Sequence, residues 1–304
     1  MHASSGLRTA AFVLATGVAS VVAPSAALAL DNDPALRGFG TYNAAEKRVE
    51  IDRSAYHTFV RELGMAMSPH LLAPAETLGL NGFAVNLAEY SATNIDESSR
   101  AWKRGTEQTL AETIANEQAP TQNSGAQPPG YLHTLDFRVR KGLPYSFELG
   151  TSITYLLQSE LLAFGGELKW ALNEAVDVVP VDFAFSVAVN RCFGSTDLDL
   201  TTLGLNFVLG HKFGIGGVVN LAPYMAYNPT FVFARSGVLD VTPGIDEEVN
   251  ANDAGSTFVL PKEDVTLQRF VFGARLTASV LSITPEIALT KGLQSYNVAL
   301  GLDF

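Results

Sequence analysis

From about residue 80 to its last residue, this chain alternates apolar and polar side chains with period two, run after run. Successive side chains of a strand point to opposite faces, so such alternation describes a sheet with one apolar and one polar face. Tyr145, Phe147, Leu149, Thr151, Ile153, Tyr155 and Leu157 share one face, opposite Ser146, Glu148, Gly150, Ser152 and Thr154. Val181, Phe183, Phe185, Val187 and Val189 oppose Asp182, Ser186 and Asn190, and Phe270, Phe272 and Leu276 oppose Gly273, Arg275 and Thr277. A soluble sandwich also alternates, but these runs last about 10 to 16 residues, against roughly five or six for ordinary strands. Tyr145, Tyr155, Trp170, Tyr227 and Tyr296 stand near run ends, where a membrane interface collects aromatics. The pattern predicts an all-β chain: an antiparallel up-and-down barrel, apolar side out in lipid, closed so that no strand edge is left unpaired.

Parity sets the strand count. Between Gly217 and Ala234 the apolar residues Val219, Leu221, Met225, Tyr227, Phe231 and Phe233 keep one parity across Asn228-Pro229. A turn would have no reason to preserve it, so the stretch reads as one long strand, with Pro223 and Pro229 needing bulges or unpaired positions. Ten strands follow, near residues 81–93, 131–141, 144–157, 161–174, 180–193, 197–212, 216–236, 264–279, 281–291 and 295–304. Ten is even, as bacterial barrels require, and the long connections, 94–130 and 237–263, fall together at the outer end. Twelve strands is the alternative, if an N-terminal hairpin joins the wall.

The terminal strand Tyr296-Asn297-Val298-Ala299-Leu300-Gly301-Leu302-Asp303-Phe304 resembles the assembly signal of Gram-negative outer-membrane barrels. In that family a final aromatic and alternate upstream apolar residues, here Tyr296, Val298, Leu300, Leu302 and Phe304, are read by the barrel-assembly machinery. Arg140-Lys141-Gly142-Leu143-Pro144 and Asp197-Leu198-Asp199-Leu200-Thr201-Thr202 are also similar to uncharacterised proteobacterial outer-membrane barrels. The resemblance implies a place in the outer membrane, with its lipid and the assembly machinery as partners. It implies no activity.

The first residues fit that destination. Arg8, an apolar run from Ala10 to Val22 and the small-residue end Ala27-Leu28-Ala29 describe a cleaved signal peptide over residues 1–29. Without it the chain keeps 19 basic against 31 acidic residues, a net charge of −12, which speaks against binding nucleic acid or anionic lipid through its general field. The single cysteine, Cys192, excludes a disulfide framework. A barrel of this size closes without a partner, so a monomer is expected.

Residues 30–80 read differently from the barrel domain, 81–304. Tyr56, Phe59, Val60, Leu63 and Met67 recur at helical spacing, and Pro69 and Pro74 then break the chain. This segment could plug the lumen, cover the periplasmic mouth or lie in the periplasm. Ala73-Pro74-Ala75-Glu76-Thr77-Leu78-Gly79 is weakly similar to the N-terminal hatch of long-chain fatty-acid transporters. The first long loop predicts a helix from Ala101 to Asn116. The second carries Asp246-Glu247-Glu248-Val249-Asn250-Ala251-Asn252-Asp253-Ala254-Gly255, whose spacing lacks the ordered ligands of a calcium loop, so no metal or other cofactor is expected.

Asp136, Arg138, Arg140, Glu148, Glu167, Lys169, Asp182, Arg275 and Glu286 fall on the inward face. Both signs occur on neighbouring strands, so these charges either pair and fill the lumen or line an aqueous path. His57, His70, His133 and His211 stand with no visible Ser or Asp grouping, and no catalytic residue is assigned. The leading expectation is a porin-like channel or transporter for small solutes. The alternatives are a closed structural or surface-interaction barrel displaying its long loops and, behind it, a hydrolase acting at the rim.

Overall fold

The computed structural model describes residues 30–43, 45–111, 128–172, 181–215, 219–241 and 256–304. The signal-peptide stretch 1–29 and the acidic stretch Asp246–Gly255 lie outside the described residues. The described chain starts with a 3-10 turn (Leu36–Phe39), a small two-stranded sheet, β1 (Gly40–Asn43) and β2 (Arg48–Ile51), and a helix, α1 (Arg53–Ala66). The wall begins with β3 (Phe83–Asn94). After a five-residue helix, α2 (Arg100–Arg104), come β4 (Tyr131–Leu143), β5 (Phe147–Leu156), β6 (Leu162–Ala171), β7 (Asp182–Phe193) and β8 (Leu198–Gly210). A short β9 (Phe213–Ile215) precedes the long β10 (Val219–Ser236), and a minor hairpin, β11 (Leu239–Asp240) and β12 (Thr257–Phe258), follows it. The wall ends with β13 (Glu263–Ala278), β14 (Leu281–Thr290) and β15 (Leu293–Asp303).

Ten of these strands form one ring. Each pairs antiparallel with the next in sequence from β3 to β8, then β10, β13, β14 and β15, and β15 pairs back onto β3. All ten expected strands are present, each within three residues of its expected bounds. Phe83 N–H donates to Phe304 O at 3.0 Å and Phe304 N–H to Phe83 O at 2.7 Å, which closes the seam. The two long connections leave from one end of the ring, called here the loop end. Phe83 and Phe304 lie at the other, the turn end.

β10 shows how a proline fits in a wall strand. It pairs with β13 without a break from Val219↔Ala278 to Ala234↔Glu263. Its ladder to β8 skips Asn228 and Pro229, between Tyr227↔Phe207 and Thr230↔Gly204. Proline cannot donate there, and Asn228 Nδ2 donates instead to Leu205 O at 3.1 Å. In the first long loop the expected helix Ala101–Asn116 is broken. α2 stops before Gly105, Thr106 bridges to Pro34, and the chain is helical again over 107–111.

The side chains invert the arrangement of a water-soluble protein. Arg269 is 2% exposed and its neighbour Phe270 is 53% exposed. The same holds around the ring, with Leu135, Phe137, Leu149, Ile153, Phe164, Leu168, Met225, Phe272 and Leu300 outside and Arg138, Lys169 and Glu286 inside. A continuous apolar exterior of this extent is far beyond the patches that soluble monomers expose. On a closed ring it belongs in lipid, and it makes this chain an outer-membrane barrel. Aromatics mark both rims: Phe147 stacks on Trp170 at the turn end, and Tyr90 hydrogen-bonds His133 Nδ1 at 2.7 Å towards the loop end.

Candidate functional site

The lumen is occupied by the chain's own N-terminal segment. α1 starts at Asp52, whose Oδ1 accepts from Ala55 N–H at 3.0 Å, as a helix N-cap should. Its apolar face, Tyr56, Phe59, Val60 and Leu63, is buried over the loop-end mouth. Phe59 lies 4.8 Å from the Trp102 ring of the first long loop and 5.4 Å from Phe39. Glu62 fastens this cap: it accepts from Trp102 Nε1 at 2.5 Å and from Asp96 N–H at 3.1 Å. Burial of the carboxylate pushes its pKa above the ordinary glutamate range, and the two hydrogen bonds offset part of that rise. The start of the described chain is tied to the same end, where Asn32 N–H donates to Gln158 O at 2.8 Å and Asp33 Oδ1 accepts from Glu160 N–H at 2.7 Å.

After Ala66 the chain turns down into the barrel. Pro69 and Pro74 forbid a helix, so the carbonyls of this irregular stretch need partners from elsewhere. The inner wall supplies them in descending order. Asn190 Nδ2 donates to Met67 O at 3.1 Å, Arg269 Nη2 to Pro69 O at 2.9 Å, and Arg138 Nη1 to Leu71 O at 3.2 Å. Lys169 Nζ donates to Pro74 O at 2.6 Å and also to Glu76 O. Two carboxylates receive the segment's amides: Leu72 N–H donates to Glu286 at 2.7 Å and Leu78 N–H to Glu148 at 3.0 Å. The segment then leaves by the turn end and enters β3.

The expected lumen charges thus fall into defined places. Asp136, Arg138, Arg140, Glu148, Lys169, Arg275 and Glu286 are buried inside; Glu167 is partly buried. Asp182 lies at the turn-end rim, 4.0 Å from His211 Nδ1. Arg138 pairs with Glu89 at 3.1 Å and Glu167 at 3.7 Å, Arg140 with Glu148 at 3.2 Å, and Arg275 with Asp303 at 2.5 Å. Asp136 accepts from the Thr154 and Thr134 hydroxyls.

Two inward charges escaped the sequence reading. Arg269 shares the parity of Arg275 on β13, so counting back along that strand finds it. Glu89 is hidden by a register shift between Asn86 and Glu89 against β4, where Leu87 and Ala88 both face out and the parity flips.

The gap beside Pro69, Arg138 and Asn190 measures 10 Å³, room for about one water. A wider vestibule of 260 Å³ opens at the turn end, lined in part by Arg140, Lys212 and Arg275. Of the histidines, His70 is buried within the plug segment, while His57 faces Glu263 at 2.5 Å on the outer rim. Neither they nor His133 and His211 gather with a serine nucleophile among the described contacts. Cys192 is free and buried.

No family model matches this chain, and no curated protein matches it. Solved structures that it is similar to are outer-membrane barrels. The attachment invasion locus protein Ail of Yersinia pestis is 10% identical, with 74% of this chain and 99% of that one covered and a TM-score of 0.30. Neisserial surface protein A is 9% identical, with 73% and 95% covered and a TM-score of 0.28. The outer membrane protein Omp33 of Acinetobacter baumannii is 8% identical, with 74% and 98% covered and a TM-score of 0.26. At such scores these likenesses decide nothing about function, and the membrane placement rests on this barrel's own exterior.

Proposed function

We propose that this protein is a closed outer-membrane barrel that holds a folded cap at the cell surface, built from the described parts of residues 30–66 and of the first long loop, as an interaction surface. One observation carries the reading: the inner-wall groups Asn190, Arg269, Arg138, Lys169, Glu286 and Glu148 bind the backbone of Met67–Leu78. Groups arranged to pass solutes would present themselves to an open path; these hold a segment of the chain's own backbone. Long connections of such barrels face outward, which puts α1 and its aromatic cluster outside the cell.

Two measurements test this. Lys47 is exposed in the turn between β1 and β2, and the variant Lys47→Cys should react with a membrane-impermeant maleimide on intact cells, with buried Cys192 giving little background. Failure of that variant to label would put the cap on the wrong side. In planar bilayers the mature protein should be silent and a version lacking residues 30–78 should conduct steadily. Steady conductance of the intact chain would instead favour the solute channel. The vestibule at the turn end supports that second reading as a gated one, in which the plug must leave before solute passes.

A further inference from the structure

The rim of the barrel has a step. β13 pairs with β10 up to Glu263, but its pairing with β14 starts only at Phe270↔Leu289, and β14 ends at Thr290. Residues 263–269 of β13 therefore rise above the tight turn at Lys291 and Gly292. A pocket of 760 Å³ lies in this step, open to the outside and lined in part by Arg61, Gln268, Phe270, Leu289 and Lys291.

Its chemistry is layered. Phe270 and Leu289 form the floor, and below them the outward residues Phe272 and Ile287 continue the lipid-facing belt. Thr266, Gln268 and Thr290 form a polar upper wall. Arg61 reaches in from α1, its Nη2 donating to the backbone carbonyl of Lys291, and both residues line the pocket. No carboxylate lines the pocket, and neither cation takes part in an ion pair among the described residues, although Glu62, next to Arg61 on α1, feels its charge. The acids nearest along β13 already have partners: Glu263 bonds His57 at 2.5 Å, and Asp264 bonds Lys262 at 2.8 Å. The vestibule at the turn end differs, since there Arg140, Lys212 and Arg275 each hold a carboxylate of their own.

We propose that this step binds a phosphorylated lipid of the outer leaflet, its phosphate between Arg61 and Lys291 and its first acyl chain along Phe270 and Leu289. Two cations with no ion-pair partner among the described residues, at the boundary between an apolar wall and a polar rim, match an anionic headgroup there. Because Arg61 belongs to the cap and Lys291 to the wall, a bound phosphate bridges the two and holds the cap down. The proposal rests on the outer-membrane placement and the outward position of the loop end; it does not depend on whether the lumen conducts.

The test is a titration of the refolded mature protein, in neutral detergent, with lipid A, with phosphatidylcholine and with inorganic phosphate, read by native mass spectrometry. Lipid A should bind, the variant Arg61→Gln/Lys291→Gln should bind it at least tenfold more weakly, and Lys291→Gln alone should fall between. Millimolar inorganic phosphate should leave lipid A in place. Equal binding by wild type and double variant, or equal binding of phosphatidylcholine, overturns the site. Displacement of lipid A by inorganic phosphate at similar concentrations makes it a free-anion site instead, and the lipid assignment falls. Folding of both variants is checked by the heat-dependent gel mobility of the barrel, which the half-buried Arg61 and the exposed Lys291 should not alter, and either result for the single variant decides the matter if the double one fails to fold.

Discussion

Leu72 of the plug donates its backbone N–H to Glu286 of β14 at 2.7 Å, and the same carboxylate takes the Tyr224 hydroxyl at 2.7 Å and Asn297 Nδ2 at 3.0 Å. One wall side chain thus serves three donors from three different elements. Glu286→Leu strands all three in a buried site. Each unsatisfied donor costs on the order of 1–3 kcal/mol, so the urea midpoint of unfolding, followed by tryptophan fluorescence, should drop sharply. Glu286→Gln keeps an acceptor and should lose less than half as much. Equal losses in the two variants would mean that the hydrogen bonds are not what holds Leu72.

Arg138 is the matching case for charge. It bonds Leu71 O and pairs with Glu89, which is fully buried, and with Glu167. Arg138→Met leaves Glu89 as an uncompensated buried charge, expected to cost about 3–5 kcal/mol. Adding Glu89→Gln removes that charge and should recover much of the loss, a non-additivity that a double-mutant cycle reads directly. Additive losses would show that Glu89 is not Arg138's partner.

Much of this wall was legible because a barrel in lipid leaves a strict record: each strand needs apolar residues at alternate positions, as Phe270, Phe272 and Leu276 show. Parity alone identified β10 as one strand through Pro229, since Phe231 and Phe233 keep the phase of Tyr227. It placed seven of the nine expected lumen charges at buried inner positions. Parity fails where a bulge resets the phase, and Glu89 was lost that way. The route of Met67–Leu78 was illegible for another reason. An irregular segment has no period, and its path is fixed by partners such as Asn190 and Lys169 that lie about 95 to 123 residues away in sequence. Helical spacing announced α1, but nothing in it says which mouth the helix covers.

Gly64 sets how closely α1 approaches the wall. A Cβ there would meet Val232 Cγ1 at 2.5 Å, closer than packed carbons tolerate. Alanine is the better helix former by up to about 1 kcal/mol, so propensity and packing predict opposite signs for Gly64→Ala. Packing should win, because Val232 is stiff at χ1 and lies in a hydrogen-bonded strand. Hydrogen exchange of the α1 amides should accelerate while that of β4 to β7 stays unchanged. Slower exchange in α1 would show that the helix yields without cost.

Glu62 makes the cap sensitive to pH. Burial raises its folded-state pKa above the unfolded value, so between those two values the folded cap binds more protons than the unfolded chain. Stability therefore falls as pH rises through that window and is fully present only below the unfolded pKa. Protection factors of amides in α1 and around Trp102, with the intrinsic pH dependence of exchange divided out, should fall from about pH 4.5 upward until the folded pKa is passed, then level off. Glu62→Gln still offers an oxygen to Trp102 Nε1 and cannot titrate, so its profile should be flat across the same window. A wild-type profile that is flat, or that slopes the other way, would mean that the hydrogen bonds from Trp102 and Asp96 outweigh burial.

Phe272 tests the membrane face itself. It is 44% exposed on the outer wall, paired with Met225 on one side and Ile287 on the other, well inside the apolar belt. In water an arginine at so exposed a position would be nearly neutral. At the bilayer midplane it should cost about 2–4 kcal/mol, falling towards zero near the interface. Phe272→Arg should therefore lower stability in lipid vesicles markedly, while Gln268→Arg, two pairs nearer the rim on the same face, should have little effect. The contrast between two positions on one strand separates lipid contact from any general intolerance of arginine, and equal effects at both would remove the belt from around β13.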